Sequence, residues 1–112
     1  MRIGLPKEIK NHEYRVGLTP ASVREFTSRG HEVFVQAGAG AAIGLADEQY
    51  AASGAILVKD AAEVFAKAEM VVKVKEPQAQ EIAMLREGQI LYTYLHLAPD
   101  PEQTAALVKS GA

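Results

Sequence analysis

Short apolar runs recur along the chain, each bounded by glycine, proline or polar turn residues. Met1–Leu5 stops at Pro6, His31–Gln36 runs into small residues, and Ala55–Val58 ends before Asp60. Met70–Val74 is followed by Pro77, and Ile90–Tyr94 lies between Gly88 and Pro99. Runs this short with such boundaries read as strands. Helical spacing fills the gaps. Thr19-Pro20 supplies an N-cap and a proline at the first helical position, with Val23 and Phe26 on one face and Gly30 beyond. Asp47 is expected to cap a short helix holding Tyr50 and Ala51. Asp60 and Glu63 form a capping box ahead of Ala61, Val64, Phe65 and Ala68, which share a face. Ile82 and Leu85 mark another short helix. Asp100-Pro101 opens the last one, with Leu107 and Val108 expected to point inward and Gly111 at its end.

Strands alternating with helices imply a parallel sheet wrapped by right-handed crossovers. The expected fold is α/β, a flavodoxin-like three-layer domain with strand order 2-1-3-4-5. Pro6–Leu18 follows neither period and is rich in charge. A loop of that length inside a small domain usually carries function or is disordered.

Composition narrows the function. At 112 residues the chain is one small domain or a piece of a larger protein, and 48% hydrophobic residues suffice for a core. Twelve basic residues against 14 acidic give none of the basic excess expected of a nucleic-acid partner. The absence of cysteine excludes a disulfide framework and a thiol nucleophile. No apolar run approaches the roughly 20 residues of a membrane span, and Met1-Arg2 enters a strand rather than a signal peptide. The expectation is a soluble cytoplasmic protein with no membrane partner. No paired histidine ligands or other metal motif is present.

In a parallel sheet all carboxyl ends share one edge, which is where such folds place their chemistry. Three basic groups follow predicted strand ends: Arg15 in the loop after the first, Lys75 after the fourth, His96 after the fifth. Arginine grips a carboxylate through two parallel hydrogen bonds, and lysine adds a point charge. Histidine titrates near neutral pH and suits proton transfer. Together they fit a small anionic keto acid. Blander readings stand beside each. Arg15 in a polar loop is often solvated or paired locally, and His96 alone is more often a turn residue. Lys73 and Lys75 alternate with Val72 and Val74, so both should point to one face. Lysine on a strand usually snorkels to solvent, and only Lys75 is well placed for a site. His12 and His31 read as surface residues. Tyr92 and Tyr94 share a face, as core packing or with Tyr94 as a pocket wall beside His96. Gly38, Gly40 and Gly44 follow a strand, but their spacing is one residue too long for a dinucleotide loop. The acid Asp47 beside them would oppose a pyrophosphate, so a plain turn is the default.

The residues IGLPKEIKNHEYRVGLTP at Ile3–Pro20, AGAG at 37–40, KVKEP at 73–77 and YLHLAPD at 94–100 resemble the family of alanine dehydrogenase and the NAD(P) transhydrogenase α subunit. The likeness covers essentially the whole chain, and the histidine of YLHLAPD favours the alanine dehydrogenase branch over transhydrogenases. It implies an enzyme that interconverts L-alanine and pyruvate plus ammonia with NAD as cofactor and assembles as a hexamer. It also implies that Arg15 and Lys75 bind the substrate carboxylate and that His96 is the acid/base; Tyr94 is added as a substrate-side residue from its place beside His96. Residues 1–112 would then be the N-terminal part of the substrate-binding domain, inactive alone, with the Rossmann NAD domain outside them. A transhydrogenase α-subunit domain and a non-enzymatic flavodoxin-like binding module are the competing readings.

Overall fold

The computed structural model describes residues 1–112. Its strands are β1 (Arg2–Leu5), β2 (Glu32–Gln36), β3 (Ile56–Val58), β4 (Met70–Val72) and β5 (Ile90–Tyr92). Its helices are α1 (Pro20–Thr27), α2 (Asp47–Ala52), α3 (Ala61–Lys67), α4 (Ala79–Ile82) and α5 (Pro101–Ser110), with a 3-10 turn at Ala41–Ile43. Three caps form as expected. Thr19, Asp60 and Asp100 each accept a hydrogen bond from a first-turn amide. Asp47 does not cap α2, because Ala46 takes that position and Asp47 accepts instead from the Gly38 amide at 2.8 Å.

All strand pairs are parallel, and the order is β3-β2-β1-β4-β5. The α/β class and the parallel sheet are as expected, but the order differs from 2-1-3-4-5. β3 pairs outside β2, with Val35 opposite Leu57, and the chain then crosses β1 to lay β4 on its other side. Periodicity identifies a strand without naming its neighbour. The sheet therefore reverses its direction of growth between β1 and β4, the switch point beyond whose carboxyl ends open α/β sheets place their ligand crevice.

Alternation along the strands builds layers on both faces. Ile3, Leu5, Val33 and Val35 pack with Val23 of α1 and Tyr50 of α2. Phe34 faces the other way and meets Val64 of α3. Phe65, Ala68, Val71, Ile82 and Leu85 extend that second layer toward α4 and α5. Leu85 contributes from just beyond α4, so the short helix covers less of its apolar segment than expected. The C-terminal carbonyls of α3 are closed off by side chains: Arg86 donates to Phe65 and Ala68 at 2.6 and 2.8 Å, and Gln89 donates to both at 2.8 Å. Two inward assignments fail. Val108 is 78% exposed, and Tyr92 at the sheet edge is 68% exposed. His31 is a partly covered surface residue, with Nδ1 3.0 Å from the amino terminus. No helix is long and apolar enough to cross a membrane.

Gly4 shows how tightly α3 sits over β1. A Cβ there would stand 2.7 Å from both Ala68 Cβ and Val64 Cγ1. Overpacking of this kind costs about 1–3 kcal/mol. Gly4→Ala should lower stability by that amount in urea denaturation, with an unchanged m-value.

Candidate functional site

The loop from Pro6 to Leu18 is packed onto the end of the sheet by a set of specific contacts. Gly17 crosses the end of β4 so closely that a Cβ would lie 2.9 Å from the Val72 carbonyl oxygen. Leu18 joins the core, and its carbonyl accepts from the buried Tyr50 hydroxyl at 2.7 Å. Burial pushes that hydroxyl up to about 12. Lys10 pairs with Glu76 after β4. These bonds hold the β1–α1 loop over the crevice between β1 and β4.

Arg15 stands on that loop with its side chain 64% exposed, paired to Glu13. Nε donates to Glu13 Oε2 at 2.9 Å and Nη2 to Oε1 at 2.7 Å, while the Arg15 amide adds a bond of 3.1 Å. The local pairing anticipated as the bland alternative is therefore real, yet it uses one edge of the guanidinium. The edge formed by Nη1 and the second Nη2 hydrogen remains open to another carboxylate. Glu13 is buried, and the hydrogen bonds from Arg15 hold its carboxyl down at about 2 against the opposing effect of burial. Lys75 is near enough to lower Glu13 further, and Glu8 and Tyr94 both bear on Arg15. The structure thus gathers Arg15, Lys75 and Tyr94 at one end of the sheet.

Lys73 overturns the expectation of a solvent-seeking lysine. Its side chain is 1% exposed, with Nζ 3.1 Å from Glu8 Oε1 and 3.1 Å from Glu81 Oε2. The contact to Glu8 is a hydrogen bond, whereas Glu81 Oε2 is an ionic neighbour without hydrogen-bond geometry. Lys73 and Lys75 do not share a face because β4 ends at Val72 and the backbone bends at Val74-Lys75. Both amides of the bend donate to Glu8, Val74 to Oε2 at 3.0 Å and Lys75 to Oε1 at 3.1 Å. The Lys75 carbonyl accepts from Thr93 Oγ1 at 2.9 Å. Lys75 is half-buried and belongs to none of the ion pairs, so its ammonium is free for a ligand.

His96 lies on the loop after β5, exposed, with a backbone φ of 50°. The left-handed region is uncommon for residues with side chains, though histidine is enriched in it, and His12 on the β1–α1 loop shares it with a φ of 60°. Gln103, buried at the start of α5, anchors this loop by donating to the Leu95 carbonyl at 2.8 Å. Tyr94 is 81% exposed, so it is a rim residue rather than core. With Lys73, Tyr92 and Thr93 it borders a shallow hollow of about 260 Å³. A larger cavity of about 740 Å³ lies between α4 and α5. Its rim carries Glu76, Asp100 and Glu102 against Lys109, which is the wrong balance for an anion. The glycine stretch does not fit a dinucleotide, since the Gly38 amide is taken by the Asp47 carboxylate.

Residues 4–112 match the family described as Alanine dehydrogenase/PNT, N-terminal domain. The chain belongs to that family. Over 112 residues it is 54% identical to an alanine dehydrogenase of Halomonas elongata, and over 111 residues 53% identical to one of Mycobacterium tuberculosis. Those matches cover 100% and 99% of the chain but only 30% of each relative. A solved L-alanine dehydrogenase superposes with a TM-score of 0.95 at 48% identity, over 98% of this chain and 30% of that one. A transhydrogenase from Sinorhizobium meliloti superposes at 0.91 with 30% identity, over 99% of this chain and 33% of its own.

Glu13 ties this alanine dehydrogenase-family domain to pH. Its folded value of about 2 lies below the ordinary 4.5. The ionised pair with Arg15 therefore stabilises the fold in full above 4.5, and this contribution is lost as pH falls through about 2. Glu13→Gln should flatten the stability profile across that window in urea titrations at stepped pH, with the wild type losing more stability than the variant between pH 4.5 and 2.

Proposed function

We propose that this domain is the substrate-binding part of an NAD-dependent L-alanine dehydrogenase, which converts L-alanine, NAD⁺ and water to pyruvate, ammonia and NADH, reversibly. The observation that carries the reading is the pair of cations flanking the β1–β4 crevice. Arg15 keeps one donor edge open while Glu13 fixes the other, and Lys75 stands unpaired on a clamped backbone. A carboxylate bridging the two would gain bidentate hydrogen bonding from one and a point charge from the other. That anchorage leaves the α-carbon of the three-carbon keto acid facing the His96 side of the crevice, with Tyr94 at the rim. His96 donates a proton to the keto oxygen in the aminating direction and recovers it in the deaminating one.

NAD supplies the hydride acceptor in this reading, and it is held outside residues 1–112, because the glycine stretch here offers it no cradle. Cytoplasmic location and a hexameric assembly belong to the same proposal. Family membership and identities above 50% to alanine dehydrogenases support it. The transhydrogenase reading draws on the weaker 30% likeness.

In the full-length enzyme, Arg15→Ala should raise the pyruvate KM by roughly 10–100-fold with a smaller change in kcat. His96→Ala should chiefly lower kcat. An unchanged kcat in the His96 variant defeats its role as acid/base. NADPH-linked hydride exchange without alanine oxidation would move the assignment to the transhydrogenase branch.

A further inference from the structure

Resting on the keto-acid reading above, we propose that Glu8 is a positioning residue that sets the substrate-binding ammonium of Lys75, acting through the backbone. Glu8 sits on the β1–α1 loop, with its side chain 1% exposed. Neutralising Lys73 does not require it, because Glu81 already lies 3.1 Å from the same ammonium. Placing two carboxylates on one buried lysine is a poor way to stabilise a core, since each charge loses its hydration.

What Glu8 alone does is accept from the successive amides of Val74 and Lys75. Successive strand amides point in opposite directions. Both can reach one carboxylate only because the chain leaves strand geometry there, at the bend that turns Lys75 out of β4. Lys73 holds the Glu8 carboxylate from inside the fold, and Thr93 holds the other side of the Lys75 residue. The Lys75 peptide is thus clamped at both ends. Glu8 is the side chain that ties this backbone to the loop that carries Arg15, beside the Lys10–Glu76 pair one residue on, so the spacing of the two cations depends on its carboxylate.

Glu8→Gln keeps the shape but presents an NH₂ group to one of the donor amides. In the full-length enzyme it should raise the pyruvate KM about tenfold with kcat within about twofold. Glu81→Gln removes a carboxylate from the same lysine without touching residues 74 and 75. It should leave KM within about twofold even where the melting temperature falls as far. In a Lys75→Ala background, Glu8→Gln should add less than about twofold to KM, as an effect transmitted through Lys75 requires. Equal KM changes for the Glu8 and Glu81 variants, or an undiminished Glu8 effect in the absence of Lys75, overturn the proposal. Where Glu8→Gln does not fold, Glu8→Asp is measured instead. It keeps the charge on a shorter arm, so a raised KM supports the proposal and an unchanged one overturns it. An unchanged KM in Lys75→Ala itself would remove Lys75 as a carboxylate ligand. A raised KM there beside unaffected Glu8 variants defeats the positioning role alone.

Discussion

Lys73 buried between Glu8 and Glu81 is the constraint from which the carboxyl edge of the sheet is built. Three ionisable side chains, each 1% exposed, are tolerable only if they satisfy one another. Breaking a buried pair by removing one partner costs about 3–5 kcal/mol, so the arrangement holds its surroundings firmly. Glu8 brings the β1–α1 loop to β4, Glu81 brings α4, and the amides of Val74 and Lys75 close the cluster. A loop that would otherwise be open chain becomes a rigid wall of the crevice.

Around that cluster the charges are graded by burial. Lys73 is enclosed and structural. Lys75, two residues on, is half-buried and unpaired, and Arg15 is exposed but held along one edge. Burial separates the lysine enclosed by carboxylates from the cations able to meet a ligand. Glu8 and Glu13 come from the same loop and hold the Lys75 backbone and the Arg15 guanidinium respectively. His96 adds a left-handed backbone on the neighbouring loop, anchored by Gln103 from below.

Much of this was legible in the chain, and the failures have specific causes. Thr19, Asp60 and Asp100 announced their helices because capping is a local interaction within four residues. The face of α3 was readable from Val64, Phe65 and Ala68 for the same reason. The family resemblance, carried by Ile3–Pro20 and residues 94–100, is matched by the family assignment over 4–112. The strand order was not legible, since β3 and β4 are both short apolar runs and either could have flanked β1 on the side away from β2. Lys73 misled because alternation with Val72 and Val74 presumes a strand that continues. The bend depends on a carboxylate 66 residues away in sequence.

The sequence by itself determined the alternation of strands and helices, the parallel α/β class and the basic residues that follow the strand ends. These rest on periodicity and capping, which act over a few residues. Tertiary structure alone decided that β1 and β4 lie side by side, that Lys73 turns inward while Lys75 stays unpaired, and that Glu13 takes one edge of the Arg15 guanidinium. Each of those outcomes depends on groups brought together from separate elements, where desolvation and hydrogen-bond geometry choose among arrangements that the local pattern leaves equal.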